Sequence, residues 1–263
     1  MRFYWDLFRT YLSQYAKARL AYRWDLLAGL IGDLAFQAAS LIFLLVIFAQ
    51  VPDLAGWSRA ETVFIFGYFG LPYALFGTLS NGLWDFTDKY IIRGELDRLL
   101  LRPAHSLFQM LLEGVDLEPL SGLLSGTALL LWAGSRLGLG LRWYDPLLLL
   151  LLLLGSCAVY AGLYLSLACI AFWTDSRTGI INLVWNLNQY GKYPVTIYNR
   201  LWRFVLSWLL PFAFTAAYPA GYFLRRGTWA LYALATPLMG AIFLALSLAI
   251  WRAGVARYHG AGS

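Results

Sequence analysis

Polar side chains able to do chemistry are few in this chain, and they gather in four places. Asn182, Asn186 and Gln189 stand at i, i+4 and i+7, which puts three amides on one helical face; Asn188 lies off it. Inside an apolar span such a row faces the protein interior or a cavity, where it serves either a passing solute or a neighbouring helix. Asp33 is a single acid in an apolar run. A charge there costs about 3 kcal/mol near the bilayer centre, and it opens a minor reading as a proton-coupling group. Glu113, Asp116 and Glu118 are spaced 3 and 2 apart and share no helical face, so they read as a polar break with no metal site. The fourth place is Asp85–Pro103, DFTDKYIIRGELDRLLLRP. There Arg93, Glu95, Asp97 and Arg98 offer charged contacts to a soluble partner. Ile91, Leu96, Leu99 and Leu100 form an apolar face, and Gly94 gives a bend or a helix start.

Other chemistry is excluded by what is missing. Gly191-Lys192 is followed by Tyr193, so no phosphate-binding loop is present and the chain is not expected to drive a reaction of its own with ATP. The histidines are His105 and His259, too few for a zinc cluster, and no Ser/His/Asp set is evident. Cys157 and Cys169 are 12 residues apart in one apolar run. A straight helix would separate them by roughly 18 Å, which rules out a disulfide. The net charge of +6 comes from basic residues flanking apolar runs. Anionic lipid headgroups account for that pattern, and nucleic acid is not implied.

The elements that carry these residues are membrane helices. The chain is 60% hydrophobic and only 13% charged, against about 25% charged in a soluble domain. Residues 3–24 repeat aromatic and aliphatic side chains at i, i+3 and i+4, opposite Arg2, Asp6, Arg9 and Lys17. This predicts an amphipathic helix lying in the membrane interface. It has no uninterrupted apolar core, so no cleavable signal peptide is expected. Spans are expected at about Leu26–Val51, Glu61–Trp84, Leu107–Trp132, Leu147–Trp173 and Trp229–Trp251. The third is interrupted early by its three acids and Pro119. A tight turn is expected at 174–179. Residues 180–224 are ambiguous. One reading puts a fifth span at 178–195, and the other at 201–222. The N-terminal helix, the 85–103 segment and the C-terminal tail are all basic, which places all three in the cytoplasm if the spans are even in number.

Ile92-Arg-Gly-Glu-Leu-Asp-Arg-Leu-Leu-Leu-Arg-Pro103 resembles the G-x-L-D-x-x-L-x-R-P stretch of the permease subunits of bacterial type-2, exporter-type ABC transporters, in a short six-span subgroup. Tyr193-Pro194, Leu210-Pro211 and Tyr218-Pro219, followed by Leu224-Arg225, resemble that family's closing pattern. The resemblance implies an all-α polytopic protein, a single transmembrane domain over 1–263. It has six spans after the interfacial helix 1–24, with 178–195 as the fifth and 197–224 dipping back into the outer leaflet. It implies a coupling segment at 85–103, in which Arg93, Gly94, Glu95, Leu96, Asp97, Arg98, Leu99 and Arg102 meet a separate ATPase subunit. Asn182, Asn186 and Gln189 would then line a substrate path at the interface with a second permease, identical or related. ATP and Mg would bind the partner ATPase and no cofactor this chain. The setting implied is the bacterial inner membrane, with both termini cytoplasmic. Two rivals of other classes are an intramembrane lipid-modifying enzyme, built on Asp33, Glu113 and Asp116, and a proton-coupled secondary transporter. The latter should show inverted repeats, and no convincing match exists between the halves.

Overall fold

The computed structural model describes residues 2–140, 142–174, 180–227 and 229–258, and every regular element over them is helical. Helix α1 runs Arg2–Ala21 and passes through a one-residue turn at Tyr22 into α2, Arg23–Gln50. Helix α3, Arg59–Trp84, starts with a capping box. The Glu61 N–H donates to Ser58 Oγ at 3.4 Å, and the Ser58 N–H donates to Glu61 Oε2 at 2.9 Å. Helices α7, Asp145–Cys169, and α12, Trp229–Arg257, complete the long set. Pro146 sits in the first turn of α7, where its missing N–H costs no helical bond.

Among the described residues four helices are long and apolar enough to cross a membrane, with α3 and α7 continuing to Ile92 and Thr174. A fifth is counted if residues 200–209 and 212–223, bent by 73° at Leu210-Pro211, form one span. Nothing but helix suits such sequences in lipid, because each backbone polar group must be bonded within its own segment. The expected third span is divided. Helix α5, Ser106–Glu113, ends at Gly114, and α6, Ser121–Arg136, starts after a single turn at Glu118–Leu120. The acids and Pro119 make that division, as their spacing predicted. Residues 180–224 form short pieces: α9, Ile180–Asn188, with a turn to Lys192; α10, Arg200–Phe204, running on to Leu209; and α11, Ala217–Phe223. Of the turn expected at 174–179, residues 175–179 lie outside the described residues, as does His259.

Small residues bring the long helices together. A Cβ on Gly126 of α6 would sit 2.7 Å from the Gly67 carbonyl oxygen of α3, and one on Gly240 of α12 would sit 2.5 Å from the Gly155 oxygen of α7. Backbones can approach this closely only without side chains, and the close approach supplies dispersion contacts that lipid tails cannot better. A buried polar chain then pins the short pieces to α7. Thr215 Oγ1 donates to Tyr160 Oη at 3.0 Å, and Tyr160 Oη donates to Asn188 Oδ1 at 3.0 Å. Asn188, off the amide row, is therefore a packing residue. Cys157 and Cys169 are both free thiols.

The loops at 51–58 and 224–227 meet at one end of the bundle. Arg226 donates to Glu61 Oε1 at 2.8 Å and to the Gly56 oxygen at 3.0 Å, and lies 4.4 Å from the Trp57 ring. The charged residues from 85 to 118 collect at the other end.

Candidate functional site

Two sites emerge: a charged junction at that end, and a largely apolar cavity with a few polar groups within the bundle.

At the junction, α3 continues past Trp84 as a wider, π-type helical stretch over Phe86–Ile92. The chain then reverses at Gly94, whose φ of 70° lies in the left-handed region that glycine enters at least cost. Helix α4, Glu95–Leu100, follows directly. Leu96 and Leu99 are fully buried, whereas Leu100 faces outward, so the apolar anchor is Leu96 and Leu99 with Ile91. The buried Gln109 closes the end of α4 by donating to the Leu99 oxygen at 3.2 Å and the Ala104 oxygen at 2.8 Å. The outer face is polar. Arg93 is exposed and makes no ion pair among the described residues, Arg98 pairs with Glu95 at 3.4 Å, and Asp97 is half-buried.

Glu113 holds the junction together. Its carboxylate lies 3.2 Å from Arg98, 3.5 Å from Arg102 and 3.8 Å from Lys89. It also accepts from Tyr90 Oη at 3.2 Å and Tyr11 Oη at 3.4 Å. One side chain at the end of α5 thus ties together α1, the extension of α3, α4 and the Arg102 turn. Asp116 repeats the arrangement one step on, with Arg19 at 2.8 Å, Asn81 at 2.9 Å and Tyr15 at 3.4 Å. Tyr4, Tyr11, Tyr15 and Arg19 all turn toward residues 105–118, so this edge of α1 docks on protein through polar bonds. Burial works against the Arg19 charge, but the bond to Tyr15 and the field of Asp116 outweigh it and raise the guanidinium pKa. Burial, together with Asp116, raises the pKa of Glu118. Sequence spacing treated the three acids as a break because they share no helical face. The missed signal is compositional: Lys89, Arg98 and Arg102 need acceptors, and Glu113 is the nearest acid set in apolar surroundings.

The cavity, about 510 Å³, lies between α2, α3, α6 and α9. Asn182 and Gln189 of the amide row line it, whereas Asn186 is exposed elsewhere. Asp33, Gln37 and Ser40 of α2 line the facing wall. Asp33 accepts from Gln37 at 2.7 Å and from Ser121, and Ser125 donates to Gln37. Lys192, which the sequence singled out only in its Gly-Lys pair, also lines the cavity. The acids proposed for a lipid enzyme are split between the two sites and form no common centre.

The description "ABC-2 family transporter protein" matches residues 34–262. The chain belongs to that family. As an ABC-2 permease it is a multi-pass membrane protein and a transport component rather than an enzyme, and its family implies association with an ABC ATPase. The matched range includes the junction from α3 to α6 and the cavity lining except Asp33, and excludes α1. Comparisons with curated proteins and with solved structures give no match.

Proposed function

We propose that this ABC-2 permease is the membrane-spanning subunit of an ATP-driven exporter in a bacterial inner membrane, and that residues 85–103 receive the motion of a separate ATPase. The reading rests on the five bonds that converge on Glu113. A lever must be rigid and must be joined to what it moves. Arg93 just before α4 is exposed and Glu95 and Asp97 on it are half-exposed, while the helix buries Leu96 and Leu99 and is braced through Arg98 and the following Arg102 to the helices behind it. Force applied to its surface would pass into α3 and α5 with little lost in local flexing.

In this reading both termini are cytoplasmic, and α1 lies along the interface with its Tyr edge docked on the junction. Six crossings are made by α2, α3, α6, α7, the piece beginning at α9, and α12, and residues 197–224 turn back in the outer leaflet. The 73° bend at Leu210-Pro211 suits a segment that turns back, and such a break is tolerated at membrane depth only under protein cover. Two permease copies, or this chain and a related one, face each other across the cavity. ATP and Mg stay on the ATPase. ATP would shift the populations of inward- and outward-open states, which requires differential contacts to the coupling segment in the two.

Arg93→Glu tests this directly, because Arg93 is exposed and has no ion-pair partner among the described residues to lose. Wild-type permease purified in mild detergent should co-elute with an ATPase subunit. The variant should lose that subunit while keeping its own elution volume and melting temperature. A wild-type chain that never recruits an ATPase would sink the proposal.

A further inference from the structure

The cavity contains one charged group that its surroundings leave without a counter-charge. Lys192 is 8% exposed and follows α9. Its Nζ lies 3.3 Å from Ser40 Oγ and 3.3 Å from Gln189 Oε1, and 5.6 Å and 5.7 Å from the ring centroids of Phe66 and Tyr193. These are neutral acceptors and ring faces, and among the described residues Lys192 forms no ion pair with a carboxylate. The other charged lining residue, Asp33, is occupied by Gln37 and Ser121. It precedes Ser40 by seven residues on α2, about 10 Å along the helix axis, beyond the reach of a direct pair. Ser40 falls near the middle of α2, so the ammonium sits deep in the bundle. An ionisable group at that depth is costly unless a partner meets it, and neutral oxygens at 3.3 Å meet it weakly.

We propose that Lys192 is the anion-recognition point of this cavity, and that its ligand is an amphipathic organic anion. The ligand would carry one carboxylate, sulfonate or phosphate group on an apolar or aromatic body. The anionic group would accept from Lys192 Nζ, and also from the Ser40 hydroxyl, whose proton is free because its oxygen is the acceptor of the Lys192 bond. Such charge-assisted bonds are about twice as strong as neutral ones. The body would lie against Phe66, Phe69, Tyr73 and Trp185, where Trp185 Nε1 donates to Tyr73 Oη at 2.5 Å and fixes both rings. A volume of about 510 Å³ suits a ligand of small-molecule size. This deepens the exporter reading by naming a cargo class, and it rests on the cavity being part of the path.

Binding can be measured apart from transport. The full-length permease in phosphatidylcholine nanodiscs would be titrated with 11-(dansylamino)undecanoic acid and, separately, with its methyl ester, following dansyl fluorescence and subtracting empty discs. Wild type should bind the acid saturably and at least about tenfold more tightly than the ester. Lys192→Gln should bring the acid down to the level of the ester, while Lys192→Arg should keep it within about threefold of wild type. Equal affinities for acid and ester in the wild type, a comparison that needs no variant, would overturn the proposal. So would an acid preference that persists in a Lys192→Gln protein of unchanged elution volume. Saturable acid binding by a chain that recruits no ATPase would keep the anion site and remove the transport reading. ATP-driven efflux that treats acid and ester alike would keep the transport reading and remove the anion site.

Discussion

Replacing Glu113 by Gln should loosen the junction without unfolding the bundle. The carboxylate is largely covered, with 13% of its side chain exposed, whereas Lys89, Arg98 and Arg102 are 33%, 51% and 42% exposed. Ion pairs to such open partners are worth about 0.5 kcal/mol each after solvent screening. The bonds from Tyr11 and Tyr90 are partly buried and contribute about 1 kcal/mol each. An amide retains part of the hydrogen bonding, but three cations are left close together. The loss comes to about 2–3 kcal/mol, confined to the pieces that Glu113 joins. Amide hydrogen exchange reads such local openings. At 1.36 kcal/mol per tenfold change, exchange over residues 86–100 should speed up roughly 30- to 150-fold. Helices α7 and α12, which do not touch Glu113, should keep wild-type rates and serve as the internal control. If the ATPase is present it should still bind, because Arg93 is untouched, while ATP hydrolysis and transport become uncoupled. Exchange over 86–100 within threefold of wild type would refute the bracing role.

Other substitutions probe how the bundle is held. Gly126→Val places a side chain 2.7 Å from the Gly67 oxygen, so α3 and α6 must separate; the melting temperature in detergent should fall well below wild type, and an unchanged value would argue against close glycine contact. Tyr160→Phe removes the hydroxyl linking Thr215 to the buried Asn188; Thr215 keeps its bond to the Phe212 oxygen at 2.9 Å, and Asn188 Oδ1 is left short of a partner at about 1–3 kcal/mol. Thermal unfolding should report that loss, and exchange should rise first over 180–192.

Much of the architecture could be read from residue types. Expected spans at Leu26–Val51, Glu61–Trp84, Leu147–Trp173 and Trp229–Trp251 correspond to helices beginning at Arg23, Arg59, Asp145 and Trp229, because long apolar runs in lipid have no other way to bond their backbone. The break before α6 was legible in three acids and a proline. Residues 180–224 were not. Their apolar and polar residues alternate at no single period, and the path depends on bonds such as Tyr160 to Asn188, whose partners are 28 residues apart.

What the sequence by itself determined is the solvent and the class: a helical chain built for lipid, without a phosphate-binding loop, and with a Gly94–Pro103 stretch that resembles a permease pattern. Composition and local period carry that information, and both are properties of neighbouring residues. Only the tertiary structure decided what the scattered charges do. Glu113 gathers Tyr11 from 102 residues earlier in the chain and Tyr90 from 23, and Lys192 meets Ser40 across 152. No local rule encodes such meetings, because they follow from glycine-mediated helix approach and from where the chain breaks. Desolvation then makes each of them matter, since a charge in water needs no partner, and one inside a membrane bundle does.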